Sequence, residues 1–286
     1  MAGEHMRAAI RAQPEWLRAV PTDRRLPEGA RVVATGCGTS FHAALTSPRA
    51  LQALELVLDP PAADLLLAVS HEGDTPLTLE AARAFDGPVW AVTGKPESPL
   101  AELSEEVLVA TPEVERSWCH TASYTCAIAT LSALRGEDVS WLADAVEEAL
   151  EQHESVSEHE RWLVAGAGRD YPTALEAALK LREGAFVAAE GHHTEQLLHG
   201  HLGAIDETVR CFVLEGEHRA AERAHDAVAA LRELGCGVAL VPTRHPVVDI
   251  VRFQLLTLEL AETRGLNPDL IRRDDERWER ARAAYR

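Results

Sequence analysis

One short pattern occurs twice in the chain and restricts its fold more than any other feature. An apolar run at 31–35 ends in Gly36-Cys37-Gly38, and a second apolar run ends in Gly166-Ala167-Gly168. Each glycine pair leads into a stretch rich in small apolar residues, with Ala44-Leu45 and Ala174-Leu175 at one constant offset. These residues predict a strand, a glycine turn and a helix, in that order. We therefore interpret the chain as an internal duplication.

Further apolar runs extend both copies of this pattern. Each half carries two more candidate strands, and each ends in a helical run that closes with Arg-Gly. The candidate strands are 65–70 and 89–93 in the first half and 209–214 and 237–241 in the second, and the helical runs are 124–136 and 253–265. Strands that alternate with helices form parallel sheets flanked by helices. The predicted fold class is α/β, with two doubly wound parallel-sheet subdomains.

The duplication also suggests where the chain divides. The predicted parts are an N-terminal helical segment at 1–28, a first subdomain at 29–150, a second at 151–266 and a C-terminal tail at 267–286. A short helix is predicted over 6–20, interrupted at Pro14, because proline lacks the N–H that an interior helical position donates. The charged stretch 151–160 is predicted to be a linker helix between the halves.

Charge excludes two classes of partner. The chain has 46 acidic against 28 basic residues and a net charge of −18 at pH 7. Nucleic acids and anionic membrane surfaces attract the opposite sign, so neither is an expected partner. Lysine is nearly absent, and only Lys95 and Lys180 occur.

Cysteine usage and the N-terminal residues indicate in which cellular compartment the protein is expected. The five cysteines show no Cys-x-x-Cys spacing, and an odd number does not suggest a disulfide framework. Residues 1–26 are too charged for a signal peptide, and no run is long enough to span a membrane. A cytoplasmic protein with reduced thiols is expected.

Polar loops follow the candidate strands of the first half. After the run at 65–69 the chain reads Ser70-His71-Glu72-Gly73-Asp74-Thr75-Pro76. Thr75 is a candidate N-cap, and Pro76 suits the first helical position. Backbone N–H groups at a helix start attract anions, and hydroxyl groups can complete such a site. Ser40, Ser70 and Thr75, each taken alone, are better explained as helix caps.

A more specific pattern begins at Pro172. It reads Pro-x-Ala-Leu-Glu-x-Ala-Leu-Lys-Leu-Arg-Glu up to Glu183, and His199-Gly200 follows after a predicted loop at 191–200. This order resembles the sugar isomerase (SIS) family, with its flavodoxin-like subdomains, and most closely the isomerase half of the glucosamine-6-phosphate synthases. The resemblance implies that Glu183 moves a proton between two sugar carbons and that His199 opens the sugar ring. Lys180, one turn before Glu183, is predicted to stabilise developing oxyanion charge.

The same resemblance identifies the strand-end loops of the first half as a phosphosugar site. The residues it assigns to substrate or phosphate binding are Gly38, Thr39, Ser40, Ser70, His71, Thr75 and Thr121. Glu72 does not fit this pattern, because the family has Ser there. A carboxylate about 4 Å from a phosphate charge would cost about 4 kcal/mol at an effective dielectric constant of 20. Either Glu72 points away from the ligand, or the ligand is not an ordinary sugar phosphate.

No metal or cofactor is expected. The histidines at 192, 193, 199 and 201 lack the His-Glu-x-x-His spacing of a helical metal site, and the family isomerises sugars without metal. Neither glycine pair has the third glycine of a dinucleotide-binding fingerprint. The segment between Ser40 and Ser70 is shorter than in the synthases, so we expect a strand or loop beside the pocket to be missing.

The leading functional hypothesis is a sugar-phosphate isomerase acting at C1 and C2 of a ketose or amino sugar. The alternatives are a fructosamine-phosphate deglycase, in which Glu72 would meet an ammonium group, and a non-catalytic sensor of sugar phosphates. Residues 270–286 lack the Schiff-base lysine of the synthases, and position 2 is Ala2 rather than cysteine, so no glutamine-dependent ammonia transfer is expected. A homodimer is expected, because in the resembling family the His-Gly histidine enters the neighbouring subunit's pocket.

Overall fold

The computed structural model describes residues 2–152, 157 and 159–285. Within them the chain forms two compact units. One comprises Gly3–Glu147 together with Asp269–Arg286, and the other comprises Glu148–Pro268. The C-terminal residues thus group with the first unit.

The first unit is built on a five-stranded parallel sheet. Its strands are β1 (Val32–Gly36), β2 (Ala50–Gln52), β3 (Leu65–Val69), β4 (Val89–Thr93) and β5 (Glu106–Val109). They lie in the order β2-β1-β3-β4-β5, and every pairing is parallel. All five residues of β3 are buried, which its unbroken apolar sequence requires of a central strand. This is the flavodoxin-like order, in which ligands bind beyond the carboxyl ends of the strands where the order reverses.

Eight helices belong to or adjoin this unit in the described part of the chain. They are α1 (Glu4–Arg18), α2 (Thr39–Ala44), α3 (Ala53–Leu58), α4 (Pro76–Ala84), α5 (Pro99–Glu102), α6 (Ala122–Leu134), α7 (Leu142–Leu150) and, near the C-terminus, α12 (Glu276–Ala283). Every residue of α6 is buried, as expected for a helix that is apolar on all sides.

The predicted interruption of α1 at Pro14 is wrong. The helix runs through Pro14 without ending. Proline cannot donate to the carbonyl of Ile10, but the side-chain amide of Gln13 donates to that oxygen at 3.0 Å. Gln13 is itself held by Thr125 of α6, whose hydroxyl donates to its Oε1 at 2.8 Å. A buried side chain thus replaces the missing backbone hydrogen bond.

The second unit repeats the arrangement with four strands. They are β6 (Arg161–Gly166), β7 (Ala188–His193), β8 (Val209–Leu214) and β9 (Gly237–Val241), in the parallel order β7-β6-β8-β9. Its helices are α8 (Tyr171–Ala185), α9 (Thr194–His199), α10 (Arg219–Glu233) and α11 (Pro246–Thr263), with 3-10 turns at Gly168–Asp170 and His201–Ala204. The predicted fold class is therefore confirmed, and every strand predicted from an apolar run is present.

Three strands were not predicted, and one predicted loop is absent. β2 has only three residues, and β5 and β7 have alternating or polar sequences at sheet edges. The segment between Ser40 and Ser70 contains β2, which pairs with β1, and α3; the expected loss of a segment relative to the synthases stays a prediction. The stretch 191–200 is the end of β7 followed by α9 rather than a loop. Most of the predicted linker helix at 151–160 lies outside the described residues.

Candidate functional site

The first glycine turn of the first unit can be formed only by glycine. A Cβ on Gly36 would lie 2.8 Å from the backbone carbon of Ser40, and Gly38 has a φ of +54°. The turn therefore brings the start of α2 directly against the end of β1. Thr39 and Ser40, two of the predicted binding residues, form the first turn of α2.

The second loop joins β3 to α4. Thr75 occupies the N-cap position and Pro76 the first helical position, as predicted, but the Thr75 side chain does not cap the helix. Its hydroxyl lies 3.1 Å from the hydroxyl of Ser70, which is 2% exposed. The loop thus brings two of the predicted phosphate-binding hydroxyl groups together.

Glu72 in this loop has a counter-ion. The Nζ atom of Lys95 lies 3.7 Å from Glu72 Oε2, and the Glu72 side chain is one quarter exposed. One of the two lysines of the chain therefore offsets the carboxylate that did not fit the phosphate-binding pattern. This pairing reduces the electrostatic objection to an anionic ligand at the loop.

His71 is half-buried and accepts a hydrogen bond through its ring. Its Nε2 accepts a hydrogen bond from the backbone N–H of Glu115 at 2.9 Å, which places the ring proton on Nδ1. Burial, together with the neighbouring His120 whose ring lies 5.2 Å away, lowers the pKa of His71 to about 4. At neutral pH the His71 ring therefore contributes a hydrogen-bonding group rather than a positive charge.

Glu115 organises the start of α6. Its carboxylate accepts hydrogen bonds from the Thr121 N–H at 2.6 Å, the Thr121 hydroxyl at 2.8 Å and the Ser123 N–H at 2.9 Å. The Thr121 hydroxyl, predicted to bind substrate, therefore donates to a side chain of the protein itself. Sequence analysis did not identify Glu115, because it lies six residues before Thr121 and no capping motif has that spacing.

A small pocket lies among these loops. Polar groups from α2, from the strand ends and from the first turn of α6 share its wall with alanine and valine side chains. Its polar lining residues are Thr39, Ser40, His71, Thr93, His120, Ser123 and Tyr124. Three of the predicted binding residues are among them, whereas Gly38, Ser70, Thr75 and Thr121 are not. With a volume of about 10 Å³ it has room for about one water, so a sugar requires the surrounding groups to move.

In the second unit, Lys180 on α8 joins two carboxylates. Its Nζ donates to Glu183 Oε2 at 2.6 Å and lies 3.3 Å from Glu176 Oε1. The Lys180 and Glu176 side chains are 1% and 0% exposed, whereas that of Glu183 is 26% exposed. Spacings of three and four residues place all three groups on one helix face. The predicted proton-transfer residue is thus the solvent-facing end of a largely buried ion-pair chain.

His199 is the last residue of α9 and is exposed. Its Nε2 lies 2.7 Å from Glu195 Oε1, and Arg223 of α10 binds the same carboxylate through two contacts of 2.7 and 3.1 Å. Arg223 and His199 together keep the pKa of Glu195 below its usual value. Sequence analysis missed Glu176 and Glu195, although each stands four residues from a candidate site residue, a spacing that indicates contact on a helix.

The described residues show neither a metal cluster nor a membrane span. No group of three or more His, Cys, Asp or Glu side chains within them is placed to hold a metal ion. His192 instead pairs with Glu190 at 2.9 Å, and its ring lies 4.2 Å from that of His201. No helix in the described part of the chain is long and apolar enough to cross a bilayer.

Comparison with known proteins identifies the family that this chain resembles. Residues 155–265 match the family model described as SIS domain. The chain is 28% identical over 300 residues to glutamine–fructose-6-phosphate aminotransferase (isomerizing) of Pyrococcus horikoshii, an alignment that covers 84% of this chain and 50% of the relative. It is 27% identical over 234 residues to the enzyme of that name from Rhizobium leguminosarum, with 68% and 38% covered. The chain spans about half the length of the curated relatives it matches.

Solved structures give the same result for the fold. Glucosamine-6-phosphate deaminase from Thermotoga maritima superposes with a TM-score of 0.77 at 20% identity, covering 93% of this chain and 97% of that one. Tagatose-6-phosphate ketose/aldose isomerase from Escherichia coli superposes with a TM-score of 0.77 at 19% identity, covering 94% and 95%. Residues 155–265 thus match the SIS domain model, and the chain has the fold of these solved phosphosugar enzymes, so the resemblance stated from the sequence is confirmed.

Proposed function

We propose that this SIS-domain protein is a phosphosugar isomerase-type enzyme that transfers a proton between C1 and C2 of a phosphorylated ketose or amino sugar. The observation that carries the proposal is the Glu183 carboxylate, which is held at 2.6 Å by Lys180 and stays partly open to solvent. A general base must be fixed in position and still reach a ligand. Glu183 also occupies the motif position from which the family's proton-transfer residue acts.

The proposed reaction begins with ring opening assisted by His199. Glu183 then removes the proton from one carbon, an enediol-type intermediate forms, and Glu183 returns the proton to the neighbouring carbon. One proton is removed and one is returned, so the step is redox-neutral and needs no oxidant. Because Glu183 is partly open to solvent, the proton that it holds can exchange with water before it is returned. Lys180 acts through Glu183 in this scheme, because its ammonium group already contacts two carboxylates, and orienting Glu183 is the role these contacts support best.

We further propose that the loops after β1 and β3 bind the phosphate group. The adjacent hydroxyls of Ser70 and Thr75, and the pairing of Glu72 with Lys95, support this assignment. Replacing both hydroxyl residues by alanine should weaken binding of a phosphosugar by about 1–3 kcal/mol, since hydrogen bonds to charge are lost. Unchanged affinity, measured by calorimetry, would mean that the phosphate group lies elsewhere.

Proton exchange tests the catalytic proposal directly. In D₂O, an isomerase replaces a C1 hydrogen of a ketose phosphate, or the C2 hydrogen of an aldose phosphate, by deuterium, which proton NMR follows for a panel of phosphorylated sugars. Glu183→Gln should slow the exchange at least about 100-fold, because the amide keeps the shape and loses the base. Glu233→Gln, an exposed position at the end of α10, is the matched control and should exchange at the wild-type rate. Exchange by the Glu183 variant at the wild-type rate would refute the assignment.

The alternatives receive less support. The deglycase hypothesis used Glu72 as a partner for an ammonium group, but Lys95 already supplies that positive charge. A non-catalytic sensor would bind phosphosugars without proton exchange, so the same NMR samples distinguish it from an enzyme. The five free thiols support the cytoplasm as the compartment we propose.

A further inference from the structure

Two hydroxyl groups at the start of α6 differ in whether the protein itself already uses them. The Thr121 hydroxyl donates its proton to Glu115 at 2.8 Å. The Ser123 hydroxyl, two residues later, has no hydrogen-bond partner among the described residues, although Ser123 is only 6% exposed. A buried hydroxyl without a partner is costly, and a bound polar group beside it would relieve that cost.

The backbone of Ser123 is fixed, whereas its side chain is not satisfied by the helix. The Ser123 N–H donates to the Glu115 carboxylate at 2.9 Å. Thr125 and Thr130 of the same helix donate their hydroxyl protons to carbonyl groups of the preceding turn, at 3.0 and 2.8 Å. This is the usual way in which a hydroxyl inside a helix is satisfied. Ser123 is the second residue of α6, so the preceding turn lies outside the helix.

The Ser123 hydroxyl lines the small pocket of the first unit. Ser40 at the start of α2 and His71 after β3 contribute to the same wall, as does Tyr124 of α6. The volume of about 10 Å³ accommodates about one water-sized group. A hydroxyl substituent of a ligand has this size, and it can both donate and accept a hydrogen bond. The pocket therefore suits one hydroxyl group rather than a whole sugar.

Glu115 holds the two sides of this pocket together. Its N–H donates to His71 Nε2 at 2.9 Å, and its carboxylate accepts from the Ser123 N–H. Thr93, which also lines the pocket, is already engaged: its hydroxyl donates to the His71 carbonyl oxygen at 3.1 Å and accepts from the Lys95 N–H at 3.1 Å. Ser123 thus offers an unused hydroxyl on a wall whose other parts are fixed.

We propose that Ser123 determines specificity by binding a ligand hydroxyl, the one on the carbon next to the phosphate-bearing carbon. This inference rests on the proposed function, because it takes the position of the phosphate group from the loops after β1 and β3. Ser40 and His71 belong to those loops and also line the pocket, so the ligand atoms nearest to the phosphate group lie closest to Ser123. The ligand class is therefore the phosphate esters of polyols and sugars with a hydroxyl at that carbon, as opposed to simple alkyl phosphates.

Two phosphate esters that differ only in this hydroxyl test the inference. Propane-1,2-diol 1-phosphate carries it and propyl phosphate lacks it, and calorimetric titration of the full chain gives both affinities. The wild-type protein should bind the diol phosphate about fivefold or more tightly, the factor that corresponds to a hydrogen bond of about 1 kcal/mol. Ser123→Ala should bind both esters with the affinity that the wild-type protein has for propyl phosphate.

Ser117→Ala is the matched control. Ser117 is fully buried, and its hydroxyl likewise has no hydrogen-bond partner in the described part of the chain, but it does not line the pocket. This variant should keep the wild-type preference for the diol phosphate. Neither substitution removes a side-chain hydrogen bond seen in the described residues, so neither should lower the unfolding midpoint of the ligand-free protein.

The possible failures can be told apart. Equal affinities of the wild-type protein for the two esters, or an undiminished preference in Ser123→Ala, would overturn the inference and leave a water as the partner of Ser123. The proposed function would survive either result, because both esters still bind through the phosphate group. Loss of the preference in Ser117→Ala as well would assign the effect to a general disturbance of α6 and would also overturn it. Failure of both esters to bind the wild-type protein would refute the phosphate site, and this inference with it.

Discussion

Replacing Lys180 by methionine is expected to destabilise the second unit strongly. The substitution removes the ammonium group that lies 3.3 Å from the Glu176 carboxylate, with both side chains at most 1% exposed. Glu176 would remain as a buried negative charge without that ammonium. Breaking such a pair by removing one partner costs about 3–5 kcal/mol. Glu183 adds less, because its 26% exposure allows water to replace the ammonium group.

The chain supplies its own matched control, because it contains only two lysines. Lys95 is 48% exposed and pairs with Glu72 at 3.7 Å. An exposed pair of this kind contributes about 0–1 kcal/mol, so Lys95→Met should change stability little. Urea unfolding followed by circular dichroism measures both variants, and hydrogen exchange over α8 localises the loss.

A double substitution separates the buried charge from simple packing. Glu176→Gln combined with Lys180→Met removes both charges, and it should recover most of the stability lost in the single Lys180 variant. The reasoning fails if Lys180→Met costs no more than Lys95→Met. It also fails if the double variant is as unstable as Lys180→Met, because the loss would then come from packing of the lysine chain.

Three further predictions concern assembly and pH. His199, whose side chain is 73% exposed, is proposed to enter a neighbouring subunit's pocket. A hybrid dimer of inactive Glu183→Gln and inactive His199→Ala chains should then regain activity. No recovery despite proven hybrids would exclude a site shared between subunits. Burial raises the pKa of Asp249 from 3.8 to about 7. The protonated carboxyl therefore stabilises the folded state below about pH 4, and this contribution is lost as pH rises to 7. Asp249→Asn should flatten the resulting pH dependence of the free energy of unfolding, measured with urea. His71 has the opposite effect, because burial lowers its pKa from 6.5 to about 4. Its contribution to the free energy of unfolding is therefore lost as pH falls from 6.5 to 4. His71→Gln should reduce this loss of stability at acid pH.

The parts of the fold predicted from sequence are those set by local patterns. Unbroken apolar runs gave the central strands, and the two glycine turns fixed where helices begin. β7 escaped prediction because its sequence is polar, and only its backbone pairing with β6 makes it a strand. The predicted interruption at Pro14 was wrong for a related reason. Its helix persists through a hydrogen bond from Gln13, which depends on Thr125 at a distant position in the chain.

In the candidate site, too, local patterns could be predicted from the sequence and distant contacts could not. The motif ending at Glu183 indicated a candidate proton-transfer residue, because the order of residue types is specific. The partners of the predicted residues depend on three-dimensional contacts. The Glu115 carboxylate, for example, accepts a hydrogen bond from the Thr121 hydroxyl, and the Glu115 backbone N–H donates to the His71 ring. Lys95 offsets Glu72 across more than twenty residues of sequence, and no spacing rule relates them.

The repeated loops show that an internal duplication does not by itself predict what each copy binds. Gly73 and Gly216 have φ values of +67° and +66°, but the N-cap residues two positions later differ, with φ of −61° at Thr75 and +51° at His218. The two loops therefore do not follow one backbone path, and the ligand of each copy has to be inferred from its own side chains. The N–H groups of a helix start contribute only a partial charge, equivalent to about half an elementary charge. An ionised carboxylate at Asp170, in the position that Ser40 holds in the first copy, would therefore oppose an anion more strongly than the helix start attracts it.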